Sequence, residues 1–379
     1  MKYSRRLPLP YPVLLAIAGI AVGLIPGLPK TAVSGWLILT VFVPPLVFEA
    51  AVGLDLTELR RAVLPISLLA TFGVALTVLL IGAVSHLALG LDWASAFLLG
   101  AILSPTDPIA VVALVRMLGA PPPLVAMMEG ESLFNDGTGI AVFAAVLATI
   151  DGGHPAATDF LIRLLLLVAG GAAIGLILGF AAAFLIRATR RASFEVFVTL
   201  LVSYESYLVA DRLGFSGVVA VVAAGLVVAK LAATDSRTHT PGLHRFWAAF
   251  GFVLNAVLFF LVGEELPDRD VVAAGSLVLA AFAVMFMSRA APVYLLLGIA
   301  DPMVRRLPWR WRHLAFWGGL RGALSIALAL AVAGTPGVDP RIPTIAYGAV
   351  VLSLLVQGGL LELVFRGLRL PESAQAAQP

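Results

Sequence analysis

The stretch SPTDPIAVVALVRMLGAPPPLVAMMEGESLFNDGTGIAVF, residues 104–143, places two aspartates, Asp107 and Asp136, in surroundings apolar enough to lie in a lipid bilayer. Asp107 stands between Pro105 and Pro108. Proline has no backbone N–H and pushes the residue before it away from α-helical geometry. The sequence therefore predicts a membrane helix that is interrupted at Asp107.

The second aspartate belongs to a polar face. Ser132, Asn135 and Asp136 follow the spacing i, i+3 and i+4, so a helix presents all three side chains on one side. A charge at the centre of a membrane helix costs about 2.5 kcal/mol or more, and such a residue indicates an ion or proton path. Asp107 and Asp136 are therefore our candidate transport residues. The competing interpretations are a helix cap for Asp107 and hydrogen bonding between helices for the polar face.

Composition places the whole chain in a membrane. Hydrophobic residues make up 60% of the 379 residues and charged residues 12%, and the mean hydropathy is +1.02. No cysteine is present, which excludes disulfides, thiolate metal sites and cysteine nucleophiles. Basic residues before the first apolar run imitate a signal peptide, but the many later runs favour a first membrane helix. Loop lysines and arginines explain the basic balance, so we expect no nucleic-acid partner.

Charged and Pro/Gly-rich breaks divide the chain into about twelve apolar segments of membrane length. We predict an all-α polytopic membrane protein with these spans: 10–26, 33–53, 62–90, 93–117, 122–150, 160–187, 194–211, 214–231, 246–264, 271–299, 312–333 and 342–367.

Lysine and arginine placement predicts the orientation. With the N-terminus inside, 18 of the 25 basic residues fall in inside loops and five in outside loops. Cytoplasmic loops carry the excess of such residues, so both termini are predicted to be cytoplasmic, in the inner membrane of the cell. Arg289 and Arg321 remain within the membrane.

The remaining membrane charges need partners. Glu131 lies beside the polar face and Arg289 midway along the tenth segment, and mutual neutralisation is their least costly arrangement, so we predict a structural ion pair. Arg321 suits the carbonyl ends of broken helices. Glu49, late in the second segment, either reaches the cytoplasmic interface or lies at the mouth of the ion path, and the sequence favours neither.

The fourth and eleventh segments resemble each other. The eleventh is loosened by Gly318, Gly319 and Gly322 at a depth similar to the proline break of the fourth. Interrupted segments at corresponding positions in two halves are typical of inverted-repeat transporters. Their offset of seven helices is odd, so the two copies have opposite orientations. We therefore predict two interrupted, crossing helices, helices 4 and 11.

These motifs resemble a known family. GESLFNDGTGIAVF is similar to the signature of the cation/proton antiporter-1 family, the NhaP-type bacterial Na⁺/H⁺ antiporters and their eukaryotic exchanger relatives. SPTDP, SYESYLVADRLGFSGVVAVVAAGLV, VLNAVLFFLVG and WGGLRGALSIALAL resemble further family blocks. Together they cover most of residues 8–368. The family usually has thirteen helices, and this chain starts near the family's second, so we expect either a missing first helix or a start codon assigned too late.

The resemblance implies roles for individual residues. The cation ligands correspond to Asp107, Asp136, Ser132, the Thr106 backbone and, through water, Glu49. Asn135 precedes the essential aspartate, where an electrogenic sister family has a second aspartate. Glu131 and Arg289 match the family's buried ion pair.

The resemblance also implies a homodimer in which a core moves against a dimerisation domain. We expect one transport unit, residues 1–379, whose parts are core helices 62–150 and 271–367, dimerisation and scaffold helices 10–53 and 194–264, a linker helix 160–187 and a short cytoplasmic tail 370–379.

The predicted function is secondary active, electroneutral antiport, in which one cytoplasmic Na⁺ or Li⁺ leaves for one external proton by alternating access. No organic cofactor and no enzymatic step are expected. K⁺/H⁺ exchange fits the same ligands, and a cation channel is a rival from another class. An intramembrane aspartyl protease also uses two membrane aspartates, but its G-x-G-D context is absent.

Overall fold

The computed structural model describes residues 10–26, 34–107, 109–117, 119–152, 157–189, 192–234, 241–265, 271, 273–301 and 307–368. These residues are mostly helical, and they contain no β-strand. The predicted tail 370–379 lies outside the described residues.

Fifteen helices are labelled here in chain order: α1 Tyr11–Gly23, α2 Gly35–Gly53, α3 Leu56–Arg61, α4 Val63–Leu89, α5 Trp93–Ile102, α6 Ile109–Met117, α7 Pro122–Gly152, α8 Ala157–Thr189, α9 Ala192–Arg212, α10 Gly217–Thr234, α11 Pro241–Glu265, α12 Gly275–Ala300, α13 Trp309–Trp317, α14 Ala323–Ala331 and α15 Ile342–Gly367.

The helices follow the hydropathy of the sequence. Each predicted segment contains a helix, and the fourth and eleventh segments each contain two short ones, α5 with α6 and α13 with α14. In the described part of the chain, eight helices are long and apolar enough to cross a membrane. The chain is a multi-pass, all-helical membrane protein, and the exact number of spans stays a prediction.

Two packing groups are visible. One contains α4, α5, α7, α12, α14 and α15. The other contains α1, α2, α9, α10 and α11, and α8 lies along α10. The groups meet where Gly35, at the start of α2, packs against the backbone of Ala327 and Ala331 in α14. Tyr347 of α15 also donates a hydrogen bond to the Val262 carbonyl of α11.

Three long helices contain a widened, π-helical turn: Ile38–Phe42 in α2, Leu69–Gly73 in α4 and Ser353–Gly358 in α15. A π-helical turn changes the regular hydrogen bonding of the helix backbone, so a carbonyl group can be left without its usual partner. Within a membrane no water is available to bind that carbonyl, and another protein group must do so.

In each π-helical turn, a side chain from another helix donates to one carbonyl. The three bonds are Tyr204 Oη to Val41 O at 2.9 Å, Thr138 Oγ1 to Ala70 O at 2.6 Å and Trp317 Nε1 to Gln357 O at 3.2 Å. The π-helical turns are thus stabilised by contacts between helices.

The Tyr204 contact can be tested by removing its hydroxyl group. Tyr204→Phe leaves the Val41 carbonyl without this donor, which costs about 1–3 kcal/mol for a buried group. We expect a lower midpoint temperature of unfolding in detergent. The matched control is Tyr294→Phe, because the Tyr294 hydroxyl contacts the His313 side chain at an exposed position and pairs no backbone carbonyl. Equal midpoints for Tyr204→Phe and the unaltered protein would contradict this account.

Candidate functional site

The predicted break at Asp107 is present. Helix α5 ends at Ile102 and α6 begins at Ile109, and residues 104–107 are not helical. The sequence explains the break through its two prolines; Pro105 belongs to the non-helical stretch, whereas Pro108 lies outside the described residues. The break leaves backbone carbonyl groups inside the helix bundle that need donors.

The polar face of α7 supplies those donors. Ser132 Oγ donates to the Thr106 carbonyl at 2.5 Å. The amide nitrogen of Asn135 donates to the Ser104 carbonyl at 3.4 Å and to Thr106 Oγ1 at 3.2 Å. The sequence-predicted polar face therefore lies against the sequence-predicted break, and Asn135 joins the two.

The second break, between α13 and α14, meets the first. The backbone N–H of Asp107 donates to the Leu320 carbonyl at 2.8 Å. Gly322, the residue before α14, packs against the Asp107 side chain so closely that a Cβ there would lie 2.7 Å from Asp107 Cγ. Only glycine allows this approach, which puts the carboxylate of Asp107 at the N-terminal end of α14.

A cavity of about 550 Å³ connects these elements. Four of the five predicted ligands line it through the breaks and α7, namely Asp107, Asp136, Ser132 and Thr106. The fifth, Glu49, lines it from α2, which supports the ion-path interpretation over a purely interfacial position. Further lining residues, not singled out as ligands by the sequence, are Tyr11, Arg116, Glu129, His244, Trp247, Asn255, Gly322 and Ser325.

An additional ion pair stands at this cavity. Arg116, near the end of α6, pairs with Glu129 of α7, and both line the cavity together with Glu49. Glu49 interacts electrostatically with both partners. Neither residue is among the candidate site residues taken from the sequence. The signal was their position on either side of the short α6–α7 connection, which brings them together.

Glu131 and Arg289 lie apart from the cavity wall and contact each other. Arg289 Nη1 is 2.6 Å from Glu131 Oε1, and both side chains are buried. Arg289 Nη2 also donates to the Ala315 carbonyl of α13 at 3.3 Å. The predicted ion pair between Glu131 and Arg289 is therefore present, and the Ala315 contact, which was not predicted, extends it to α13.

Arg321 occupies the second break and is buried. Its backbone N–H donates to Ser353 Oγ at 3.2 Å, and its Nη1 donates to the Gly319 carbonyl at 3.4 Å. The latter contact is the interaction with a broken-helix carbonyl that the sequence suggested.

Asn255 lies in α11 and lines the cavity. Its amide nitrogen donates to the Gly251 carbonyl one turn earlier in the same helix, at 3.0 Å.

Comparison with known proteins gives the family. The family model described as "Sodium/hydrogen exchanger, transmembrane" matches residues 1–367. The chain belongs to this family. The resemblance seen in the sequence motifs is thereby confirmed for this exchanger.

Named relatives agree with this assignment. The exchanger is 34% identical over 366 residues to the Na⁺/H⁺ antiporter ApNhaP of Aphanothece halophytica, which covers 96% of the chain and 70% of the relative. It is 35% identical over 335 residues to the Na⁺/H⁺ antiporter NhaP of Pseudomonas aeruginosa. This match spans 85% of the chain and 78% of the relative. Both names describe transporters, not enzymes, as the sequence predicted for this chain.

A solved structure shows the same fold. The sodium proton antiporter MjNhaP1 from Methanocaldococcus jannaschii superimposes with a TM-score of 0.76 at 20% identity. The match covers 94% of the exchanger and 92% of MjNhaP1. This match confirms the predicted fold of the chain.

The Glu131–Arg289 pair gives a stability prediction. Removing one partner leaves an uncompensated buried charge, which costs about 3–5 kcal/mol. Glu131→Gln and Arg289→Gln should each lower the midpoint temperature of unfolding in detergent. The double variant Glu131→Arg with Arg289→Glu should recover part of the loss, because the pair is restored in reverse. A double-mutant cycle with no coupling would contradict a structural pair.

Proposed function

We propose that the chain exchanges Na⁺ or Li⁺ for H⁺ at a site formed by Asp107 and Asp136. The observation that carries this proposal is the cavity that both carboxylates line together with Thr106 and Ser132. The relatives' names, which describe Na⁺/H⁺ antiporters, support the same substrates.

The ligand set suits a small hard cation. Carboxylate, hydroxyl and backbone carbonyl oxygens are hard donors. The Thr106 carbonyl already accepts one hydrogen bond from Ser132, and a second lone pair stays available to a cation. Asn135 holds the break against α7 and so fixes the position of Thr106. Asp107 and Asp136 bind the cation directly, and Glu49 takes part through water.

Competition at one carboxylate produces exchange. An ionised aspartate without a partner is costly in a helix bundle, so Asp136 is neutralised either by a proton or by Na⁺. Asp107 stays ionised at the N-terminal end of α14, whose backbone N–H groups favour a negative charge. Binding of one substrate therefore releases the other, and each passage of the core carries one of them.

The shape of the cavity fits one state of an alternating-access cycle. It extends from the aspartates to Gly53 and Arg116, at helix ends that the positive-inside rule assigns to the cytoplasm. On the opposite side, Gly35 packs against α14. We assign this arrangement to the inward-facing state, in the inner membrane with both termini cytoplasmic. The core, residues 62–150 and 271–367, shifts against the scaffold, residues 10–53 and 194–264, and the scaffold forms the homodimer contact.

K⁺/H⁺ exchange and a channel are the alternatives. Proteoliposomes with an acidic interior distinguish them: addition of Na⁺, Li⁺ or K⁺ outside dissipates the pH gradient only for transported cations. In a channel, an imposed pH gradient cannot reverse the direction of the cation flux. In an antiporter, an imposed pH gradient of opposite sign reverses it.

The site prediction concerns Asp136. Asp136→Asn keeps the size of the side chain but cannot exchange a proton, so Na⁺-dependent proton flux should fall to the level of protein-free liposomes. The midpoint of unfolding should stay close to that of the unaltered protein. Asp92→Asn is the matched control, since Asp92 caps α5 through Ser95 N and asparagine caps equally well. Near-normal flux in Asp136→Asn would reject the assignment.

Stoichiometry follows from Asn135, which is an amide and cannot titrate. With Asp107 ionised throughout, only Asp136 alternates between Na⁺ and H⁺, so one cation leaves for one proton and transport is electroneutral. Clamping the membrane potential of proteoliposomes with valinomycin and K⁺ should leave the Na⁺/H⁺ exchange rate nearly unchanged. A rate that rises steeply with the potential would show that a further titrating group takes part.

A further inference from the structure

Ser325 lies in the first turn of α14, three residues after Gly322. Gly322 is the residue before the helix, so Ser325 occupies the third helical position, whose side chain turns back toward the residue before the helix. Asp107 packs against that same glycine. Ser325 lines the cavity that Asp107 and Asp136 also line, so its side chain shares that space with both carboxylates.

The hydroxyl of Ser325 is buried and unpaired. The residue is 1% exposed, and its Oγ has no hydrogen-bond partner among the described residues. Some buried hydroxyls in helices of this chain donate to the carbonyl three positions earlier, as Ser203 does to Leu200 at 2.8 Å. Ser85 and Ser206 are buried and unpaired like Ser325, but only Ser325 of these three lines the cavity. An unpaired buried hydroxyl costs about 1–3 kcal/mol, so its presence at a transport site calls for a ligand.

We propose that the Ser325 hydroxyl is a further ligand of the transported cation. This inference rests on the proposed function of the cavity and extends it. The break of the first interrupted helix supplies Asp107 and Thr106, and α7 supplies Ser132 and Asp136. Ser325 adds a neutral oxygen from α14, the helix that follows the second break.

A neutral ligand has a specific consequence. The Ser325 oxygen stabilises bound Na⁺ or Li⁺ but offers no site for the exchanged proton. Its removal therefore weakens cation binding without removing the carboxylate that carries the proton. The Michaelis constant for Na⁺ should rise, while the maximal rate at saturating Na⁺ should stay close to that of the unaltered protein.

The test compares Ser325→Ala with Ser85→Ala in proteoliposomes that report Na⁺-dependent proton flux. Ser85 is the matched control, because it is also fully buried and its Oγ has no partner among the described residues, but it does not line the cavity. Ser325→Ala should raise the Michaelis constant for Na⁺ roughly 5- to 10-fold, as expected for the loss of one polar contact. Ser85→Ala should leave it within about twofold by the same reasoning.

Ser325→Cys tests the chemistry of the ligand. It keeps the shape of the side chain but replaces a hard oxygen by sulfur, so the Michaelis constant for Na⁺ should stay raised. Ser325→Thr keeps the hydroxyl and should lower the constant again. If Ser325→Ala does not fold, the contrast between the cysteine and threonine variants decides the matter in its place.

The outcomes separate this inference from the proposed function. An unchanged Michaelis constant in both Ser325→Ala and Ser325→Cys, while Asp136→Asn is inactive, overturns the role of Ser325 and leaves the antiport site intact. Equal increases in Ser325→Ala and Ser85→Ala also overturn it, because the effect is then a general loss of packing. Normal flux in Asp136→Asn overturns the antiport site and, with it, the ligand role.

Discussion

The pairing of backbone groups at two helix breaks is the constraint on which the structure depends. Inside a membrane no water is available to bind a free N–H or carbonyl group, so an interrupted helix is stable only when protein groups replace the missing bonds. Here the two breaks hydrogen-bond to each other, because the Asp107 N–H of the first break donates to the Leu320 carbonyl of the second. Ser132 and Asn135 pair the remaining groups of the first break. Three of the residues at this break, Thr106, Asp107 and Ser132, also line the cavity.

Much of this arrangement can be predicted from the sequence because its signals are local. Two prolines beside Asp107 specify a break, and the spacing of Ser132, Asn135 and Asp136 specifies one polar face. The partnership of Glu131 with Arg289 follows from the cost of isolated charges in a membrane. Apolar runs, together with the charged and Pro/Gly-rich breaks between them, locate the membrane helices, since each predicted segment contains a helix.

Other features depend on partners distant in sequence and could not be predicted. The π-helical turn of α2 is paired by Tyr204, 163 residues away from Val41, and nothing in the local pattern indicates it. Ser325 stands in an alanine- and leucine-rich helix, where a serine is normally a packing residue. Because Asp107 approaches Gly322, the first turn of that helix, with Ser325, lies at the cavity. This approach is a property of the tertiary structure and cannot be seen in the local sequence.

The position of Glu49 has a kinetic consequence. It lies on α2, whereas the other proposed ligands lie on the helices around α7, so the ligand set is divided between two groups of helices. In the proposed mechanism, a shift of one group against the other leaves Glu49 behind, and the cation loses a negative neighbour on the way. The affinity for the cation would then differ between the two faces of the membrane. Detailed balance keeps the final ion ratio independent of this difference, so Glu49 would set the cation concentration at which each direction saturates, and the ion gradients alone would set the equilibrium.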